Sequence, residues 1–221
     1  MSRVLPALAA VAALTTLSAC AEESGSPAAT DTPEATVDQT EEPSEPAESE
    51  EPAAPAGDVE FTPQGTALAF GEKAVVPYQS SGVDGALGVT VTAIEAGAAA
   101  DLAPLDLGAQ VEGMVPFYVR ITVSNESGGD FSFTSIPSID GLLADGSEAG
   151  GVFSVPSSFT PCVKGEGGED FTSAGTTYET CTLALAPASA KVTGAAYGDD
   201  SHTDVAAGAT VDYDSEPIVW K

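Results

Sequence analysis

The amino-acid sequence predicts an all-β domain folded as an antiparallel two-sheet sandwich. From Gly65 onward the chain consists of short runs rich in Val, Ile, Thr, Phe and Tyr, and Gly, Asp, Ser and Pro separate the runs. Several runs alternate apolar and polar residues, which is typical of a strand with one buried and one wet face. Seven to nine such strands fit two packed sheets, and a closed barrel is the alternative architecture.

Each predicted strand is assigned from its own pattern. In chain order the strands fall at about 67–70, 74–78, 89–93, 115–124, 131–133, 178–186, 191–197 and 217–220. The clearest is 115–124, in which Phe117, Val119, Ile121 and Val123 share one face. The turn sequence 125–129 then predicts a hairpin to the strand containing Phe131 and Phe133.

Two further assignments concern a strand face and a helical turn. In 178–186, Cys181, Leu183 and Leu185 share one face, which we expect to be buried beside the core. The alanine-rich segment 96–107 can hold a helical turn, whose length Gly97 and Pro104 limit. A turn is expected at 144–147.

The first twenty residues have the layout of a secretory signal. Arg3 is followed by an apolar run, and Leu17-Ser18-Ala19-Cys20 resembles the lipobox of bacterial lipoproteins. That resemblance implies cleavage after residue 19 and a diacylglyceryl group, with N-acylation, on Cys20. An uncleaved membrane anchor and an ordinary secreted protein are the alternatives. The apolar run is shorter than the roughly 20 residues that cross a bilayer.

We expect residues 20–57 to form a lipidated N-terminus and a linker, followed by a domain at 58–221. The linker is rich in Pro, Ala, Ser, Thr and acids and has no aromatic residue, Lys or Arg. Such a composition predicts a disordered, extended tether. Its threonines could accept sugars, although a plain solvated linker is the simpler interpretation.

The charge of the chain restricts its partners. The formal net charge is −28, and residues 58–221 hold five Lys or Arg against twenty-three Asp or Glu. Nucleic-acid binding needs a basic surface, so the composition argues against it. The simplest interpretation is that the acidic charge keeps the domain soluble and repels it from anionic lipid and wall polymers.

Beyond Cys20 the chain has two cysteines, Cys162 and Cys181. In an exported protein they are expected to form a disulfide. A metal pair is the alternative, but zinc usually takes more Cys or His ligands than this chain offers, with His202 its only histidine.

Several of these features together are similar to those of a known protein family. The lipobox and acidic stalk, the strand at 117–125, the cysteine pair and the closing segment 216–220 together resemble surface lipoproteins of high-GC Gram-positive bacteria. Their domain is similar to a family of unknown function related to a mycobacterial immunoprotective secreted antigen. The resemblance implies an immunoglobulin-like sandwich and a surface role, and it carries over no catalytic residue.

The sequence offers little for catalysis or for a metal. His202 is the only ordinary general base, and it lies in a polar segment that we expect to be an exposed loop. Copper would need several His, Met or Cys ligands, whereas Met114 is the single methionine beyond the signal. A glycosidase would need a pair of carboxylates beside an aromatic sugar-binding surface. In this sequence the carboxylates are scattered, and no aromatic sugar platform accompanies them.

Two acidic segments are weak calcium candidates. They comprise Asp199, Asp200 and Asp204, and separately Asp212, Asp214 and Glu216. Neither matches a recognised calcium loop, so a solvated acidic edge is the favoured interpretation.

One loop carries more apolar residues than a solvated loop needs. Segment 150–161 contains Phe153, Val155 and Phe159. These side chains can form a partner surface, or they can fold under the disulfide as a minor core, which we favour.

These observations predict a protein anchored by lipid to the outer face of the cell membrane. We expect it to act as a non-catalytic binding or scaffolding module for a surface or wall protein. A surface solute-binding protein or an extracytoplasmic enzyme is the alternative.

Overall fold

The computed structural model describes residues 59–136, 139–152, 154–202 and 211–221. The predicted signal, Cys20 and the linker therefore lie outside the described residues. All the described residues belong to one compact unit, Glu50–Lys221. Within them the chain is mainly β-strand, arranged in two sheets, so the predicted all-β two-sheet architecture is confirmed.

The described part of the chain contains nine strands and two short 3₁₀ helices. The strands are β1 (Ala67–Leu68), β2 (Lys73–Ser80), β3 (Val83–Ala96), β4 (Met114–Asn125), β5 (Asp140–Leu143), β6 (Gly150–Gly151), β7 (Thr177–Pro187), β8 (Val192–Tyr197) and β9 (Ile218–Trp220). The 3₁₀ helices are Ala99–Leu105 and Gly108–Val111, within the segment for which a helical turn was predicted.

The five-stranded sheet has the order β2-β3-β4-β7-β6, and all of its pairs are antiparallel. The four-stranded sheet has the order β1-β9-β8-β5. Its β1–β9 pair is parallel, and its other pairs are antiparallel. The β2–β3 hairpin turns at Ser81 and Gly82, whose positive φ angles of 52° and 80° suit a two-residue turn.

The main core fills the space between the two sheets. The four residues predicted to face it from β4, namely Phe117, Val119, Ile121 and Val123, are all buried there. Residues of the opposite sheet meet them, including the fully buried Ile218 and Trp220. Removing this apolar surface from water is the dominant stabilising term of the fold.

The predicted strand at Phe131 and Phe133 is wrong. Residues 126–136 form a loop, and β4 pairs instead with β3 and β7. Phe131 enters the main core from that loop, whereas Phe133 is 63% exposed and has φ of 56°. The alternation of the two phenylalanines therefore reflects one anchor residue and one surface residue.

The predicted position of Cys181, Leu183 and Leu185 needs a correction. The three do share a buried face of β7, but that face belongs to a second cluster and does not line the main core. Ala184 and Ala186 supply the core side of the strand. Both faces of β7 are apolar, so the alternation alone could not decide which one meets the other sheet.

The edge strand β2 is protected against pairing with another chain. The N–H of Thr62 donates to the Val75 carbonyl over 2.8 Å, and the Val75 N–H donates to Thr62 Oγ1 over 2.8 Å. Pro77 lies two residues along the same edge and has no N–H to offer. Covering one backbone position and removing a donor from the next is a known defence of sheet edges.

Candidate functional site

The candidate site lies on the outer face of the five-stranded sheet. Strands β3, β4 and β7 run side by side there, and their outward side chains form cross-strand rows. One row contains Ala93, Arg120 and Cys181, and a neighbouring row contains Thr122 and Glu179. A bulge in β3 between Val91 and Ala93 shifts the register beside this point, as bulges commonly do next to binding sites.

A second apolar cluster covers one end of this face. Leu102 comes from the first 3₁₀ helix, Tyr118 from β4, and Phe159 from the loop between β6 and β7. They pack with Leu183, Leu185 and the two cysteines. Phe159 is only 4% exposed, so the loop forms a minor core at this residue, which is the favoured prediction.

Two ties hold the β6–β7 loop against the sheet. Cys162 and Cys181 form the expected disulfide, with 5.3 Å between their Cα atoms. Three residues further on, the N–H of Gly165 donates to Thr180 Oγ1 over 3.0 Å. A Cβ on Gly165 would lie 1.9 Å from the carbonyl oxygen of Glu179, so only glycine allows the loop to approach this closely.

The clamped loop forms the wall of an open groove of about 460 Å³. Its floor comes from β3, β4 and β7, and its wall carries Thr160 and the half-exposed Val163. The lining residues are Thr92, Ala93, Glu95, Arg120, Ile121, Thr122, Thr160, Val163, Glu179, Thr180 and Cys181. Threonine hydroxyls, apolar side chains and three charged groups therefore share one concave surface.

Arg120 is the central charged group of the groove. Its Nε and Nη2 donate to Glu95 Oε2 over 3.0 and 2.8 Å. Its guanidinium carbon lies 5.4 Å from the centroid of the Tyr118 ring, within range of a cation–π interaction. These contacts fix the guanidinium on the groove floor, while the Glu95 side chain remains 54% exposed.

Tyr118 connects the groove to the first 3₁₀ helix. Its hydroxyl donates to Asp101 Oδ2 over 2.9 Å, and the same carboxylate oxygen accepts the Ala98 N–H at the start of the helix. Burial, followed by the hydrogen bond to Asp101 and its charge, raises the pKa of Tyr118 to about 12. The phenol therefore remains protonated at neutral pH and acts as a hydrogen-bond donor.

The arrangement is chemically suited to binding. It offers two exposed carboxylates, Glu95 and Glu179, a guanidinium whose partner is already in place, and several hydroxyls. Such groups can orient a ligand through charge and hydrogen bonds.

The weak calcium candidates take structural roles where the structure describes them. Oδ1 of Asp200 accepts the N–H groups of Tyr213 and Asp214, over 2.7 and 3.2 Å. Oδ1 of Asp212 accepts the Ser215 N–H over 2.8 Å, and Asp214 is exposed. The Asp200 bonds join segment 199–202 to segment 211–216. Asp204 lies outside the described residues, and no group of three or more potential metal ligands occurs among those that are described.

Asp199 and Glu216 complete the two acidic segments. Oδ1 of Asp199 accepts from the Ser201 backbone, whereas its Oδ2 is buried without a hydrogen-bond partner in the described part of the chain. Glu216 Oε2 accepts from Gln64 Nε2 over 2.8 Å. Burial, followed by the charge of Asp199, raises the pKa of Tyr197 above its usual range.

His202 is less exposed than its polar segment indicates. It is half-buried, and its ring centroid lies 4.7 Å from that of Tyr78. This contact gives the imidazole a packing role, and the expectation of an exposed loop is wrong at this residue.

The groove residues were not predicted from the sequence. One signal was available, because Arg120 is the only arginine of residues 58–221 and lies in the middle of the strand with the clearest alternation. Its partner Glu95 is 25 residues away, so the pair emerges only when the register of β3 and β4 is known.

Comparison with protein-family models, with curated proteins and with solved structures finds no match for this chain. Among the described residues, no helix is both long and apolar enough to span a bilayer.

Proposed function

We propose that this chain is a lipid-anchored module on the outer face of a bacterial cell membrane, and that it binds a surface or wall protein without catalysis of its own. The groove beside the disulfide is the observation that carries the proposal. It places charged, hydroxyl and apolar groups together on a rigid sheet, where the clamped loop holds a half-exposed Val163 at the rim. The lipobox at Cys20 and the acidic linker supply the anchor and the tether.

An immunoglobulin-like fold is part of the same proposal, and strand order supports it. Immunoglobulin domains pair their strands as A-B-E-D and C-F-G. If β3 to β9 are taken in chain order as A to G, the two sheets contain the runs β3-β4-β7-β6 and β5-β8-β9. Strands β1 and β2 are additions to this pattern.

The disulfide departs from the antibody pattern. Antibody domains join strands B and F across the core, whereas Cys181 of β7 is joined to a loop on the outer face. The cross-link therefore stabilises the wall of the groove, which fits a binding role for that surface.

Site-specific photo-crosslinking on intact cells tests the proposed function. A photoreactive phenylalanine analogue replaces Val163 in the full chain, and the matched control replaces Ser147, an exposed residue on the turn after β5. We expect one discrete ultraviolet-dependent adduct from position 163 and none from position 147. Equal adduct patterns at the two positions, or no adduct at position 163, would contradict a partner at the groove.

A small solute is the second candidate occupant. The groove volume of about 460 Å³ falls within the range of small-molecule sites, roughly 300–1,000 Å³. Solute binding would predict a bound small molecule in native mass spectra of the freshly purified chain, and no protein adduct at position 163.

A further inference from the structure

We propose that the groove accepts a cationic side chain, lysine or arginine, presented by the partner protein. The proposal rests on the proposed function and names the chemistry that the site recognises.

The charges at the groove favour a cation over an anion. Glu95 and Glu179 are both exposed, against the single guanidinium of Arg120. That guanidinium already donates two of its N–H groups to Glu95 and lies over the Tyr118 ring. A bound anion would therefore approach two carboxylates and compete with one of them for Arg120.

The surroundings strengthen this preference. Residues 58–221 carry twenty-three acids and five basic residues, so the field of the domain attracts cations and repels anions. Thr122 lies opposite Glu179 in the strand register, and Thr160 faces the groove from the loop. Their hydroxyl oxygens can accept hydrogen bonds from an ammonium or a guanidinium group.

The apolar part of the lining matches the rest of a lysine or arginine side chain. Both residues have an apolar stem that packs on apolar surface and a charged head that seeks polar partners. Ala93 and the half-exposed Val163 supply the apolar contacts, and the carboxylates of Glu95 and Glu179 supply the polar ones.

Glu179 is the groove carboxylate that Arg120 does not engage. It lies opposite Thr122 on β7, diagonally across from Arg120, whose paired residue on that strand is Cys181. Glu95 Oε2 is already occupied by Arg120, whereas the Glu179 side chain is exposed at the groove. Glu179→Gln should therefore weaken the site while keeping the size of the side chain.

Nuclear magnetic resonance of the full chain in detergent micelles tests the proposal. The probe is the peptide acetyl-Gly-Lys-Gly-amide, and peptides with norleucine or glutamate in place of lysine are its neutral and anionic controls. We expect saturable amide shifts at Val163, Thr180 and Thr122 with the lysine peptide only. Ionic attraction between partly exposed groups is screened by salt, so the shifts should weaken at 0.5 M NaCl.

Two variants determine whether binding is local. Glu179→Gln should weaken binding of the lysine peptide at least fivefold, and Glu179→Asp should retain most of it. Glu169→Gln removes an exposed acid outside the groove lining and should leave the affinity unchanged. Equal losses in Glu179→Gln and Glu169→Gln, binding of the norleucine peptide, or shifts spread over the whole acidic surface would each overturn the proposal.

The peptide and crosslinking experiments separate this inference from the proposed function. A partner adduct at position 163 without binding of the lysine peptide would reject the cationic ligand and leave the binding function intact. Binding of the lysine peptide without an adduct would make the groove a site for small amines and reject the protein partner.

Discussion

At the scale of single residues, Glu126 connects two strands through its charge. It follows β4 directly, and its Oε1 accepts from Lys73 Nζ of β2 over 2.6 Å and from the Ser124 hydroxyl. Burial would raise the pKa of this carboxyl, but the bonds from Lys73 and Ser124 and the Lys73 charge outweigh it and lower the pKa. The folded state therefore prefers the ionised carboxylate.

This preference predicts a pH-dependent contribution to stability. Since the folded pKa lies below the usual value of 4.5, the contribution is fully present above pH 4.5 and is lost as the pH falls through the folded pKa. Glu126→Gln should lower the free energy of unfolding by about 0.2–1 kcal/mol at pH 7, the range of exposed ion pairs. Urea unfolding from pH 7 to pH 2 measures the difference, which should shrink in acid. A constant difference would contradict the assignment.

The two phenylalanines of the loop after β4 offer a matched pair of substitutions. Phe131 is fully buried in the main core, whereas Phe133 is 63% exposed. Phe131→Ala leaves a cavity and should cost about 3–5 kcal/mol. Phe133→Ala should change the stability by less than about 0.5 kcal/mol. Thermal unfolding compares the two variants, and similar losses would mean that the loop is placed wrongly.

At the scale of elements, the disulfide tethers the β6–β7 loop to β7. The cysteines are 19 residues apart, and a cross-link over a loop of this size stabilises by roughly 3 kcal/mol. Replacing both cysteines with alanine should lower the unfolding free energy by about that amount. The far-ultraviolet circular dichroism should persist, because the sheet hydrogen bonds do not involve the disulfide.

Reductant provides the control for the alanine variant. Dithiothreitol should lower the stability of the wild-type chain towards that of the double variant and leave the double variant unchanged. If the double variant were as stable as the wild type, the apolar contacts of Phe159 and Leu102 alone would hold the loop.

Strands with a strong alternation were predictable from the sequence. The run predicted at 115–124 became β4 with one extra residue at each end, because its four core residues recur at every second position. β6 was not predictable, since Gly150 and Gly151 have no side chains to form a pattern. Phe131 and Phe133 gave a strand pattern in a loop, because a two-residue alternation also arises from one core anchor beside one surface residue.

The groove depends on relationships that no local pattern contains. Arg120 meets Glu95 only after β3 and β4 pair, with the register shifted at the bulge beside Thr92. The groove wall requires the backbone of Gly165 to lie close to the carbonyl oxygen of Glu179. In the sequence alone, Gly165 cannot be distinguished from a glycine in an ordinary turn. The groove could therefore not be predicted from the sequence, because it depends on the register between distant strands and on the close approach of the loop backbone to β7.

At the scale of the whole molecule, the proposed anchor makes a direct prediction. Cys20→Ser removes the thiol that the lipobox resemblance assigns to acylation, and with it the acyl chains that would supply the membrane affinity. The variant should move from the membrane fraction to the culture medium, as measured by fractionation and immunoblotting. A Cys20→Ser chain that stays with the membrane would contradict the lipoprotein assignment.

The parallel pairing of β1 with β9 bears on the order in which the domain assembles. β1 is the first and β9 the last of the described strands, and the N–H of Lys221 donates to the Leu68 carbonyl over 2.9 Å. A nascent chain leaving the ribosome has β1 ready long before β9 exists, and contacts so distant in sequence form slowly. The smaller sheet therefore closes only after β9 has been synthesised, and the export that we propose for this chain would use that interval, while the polypeptide is still unfolded.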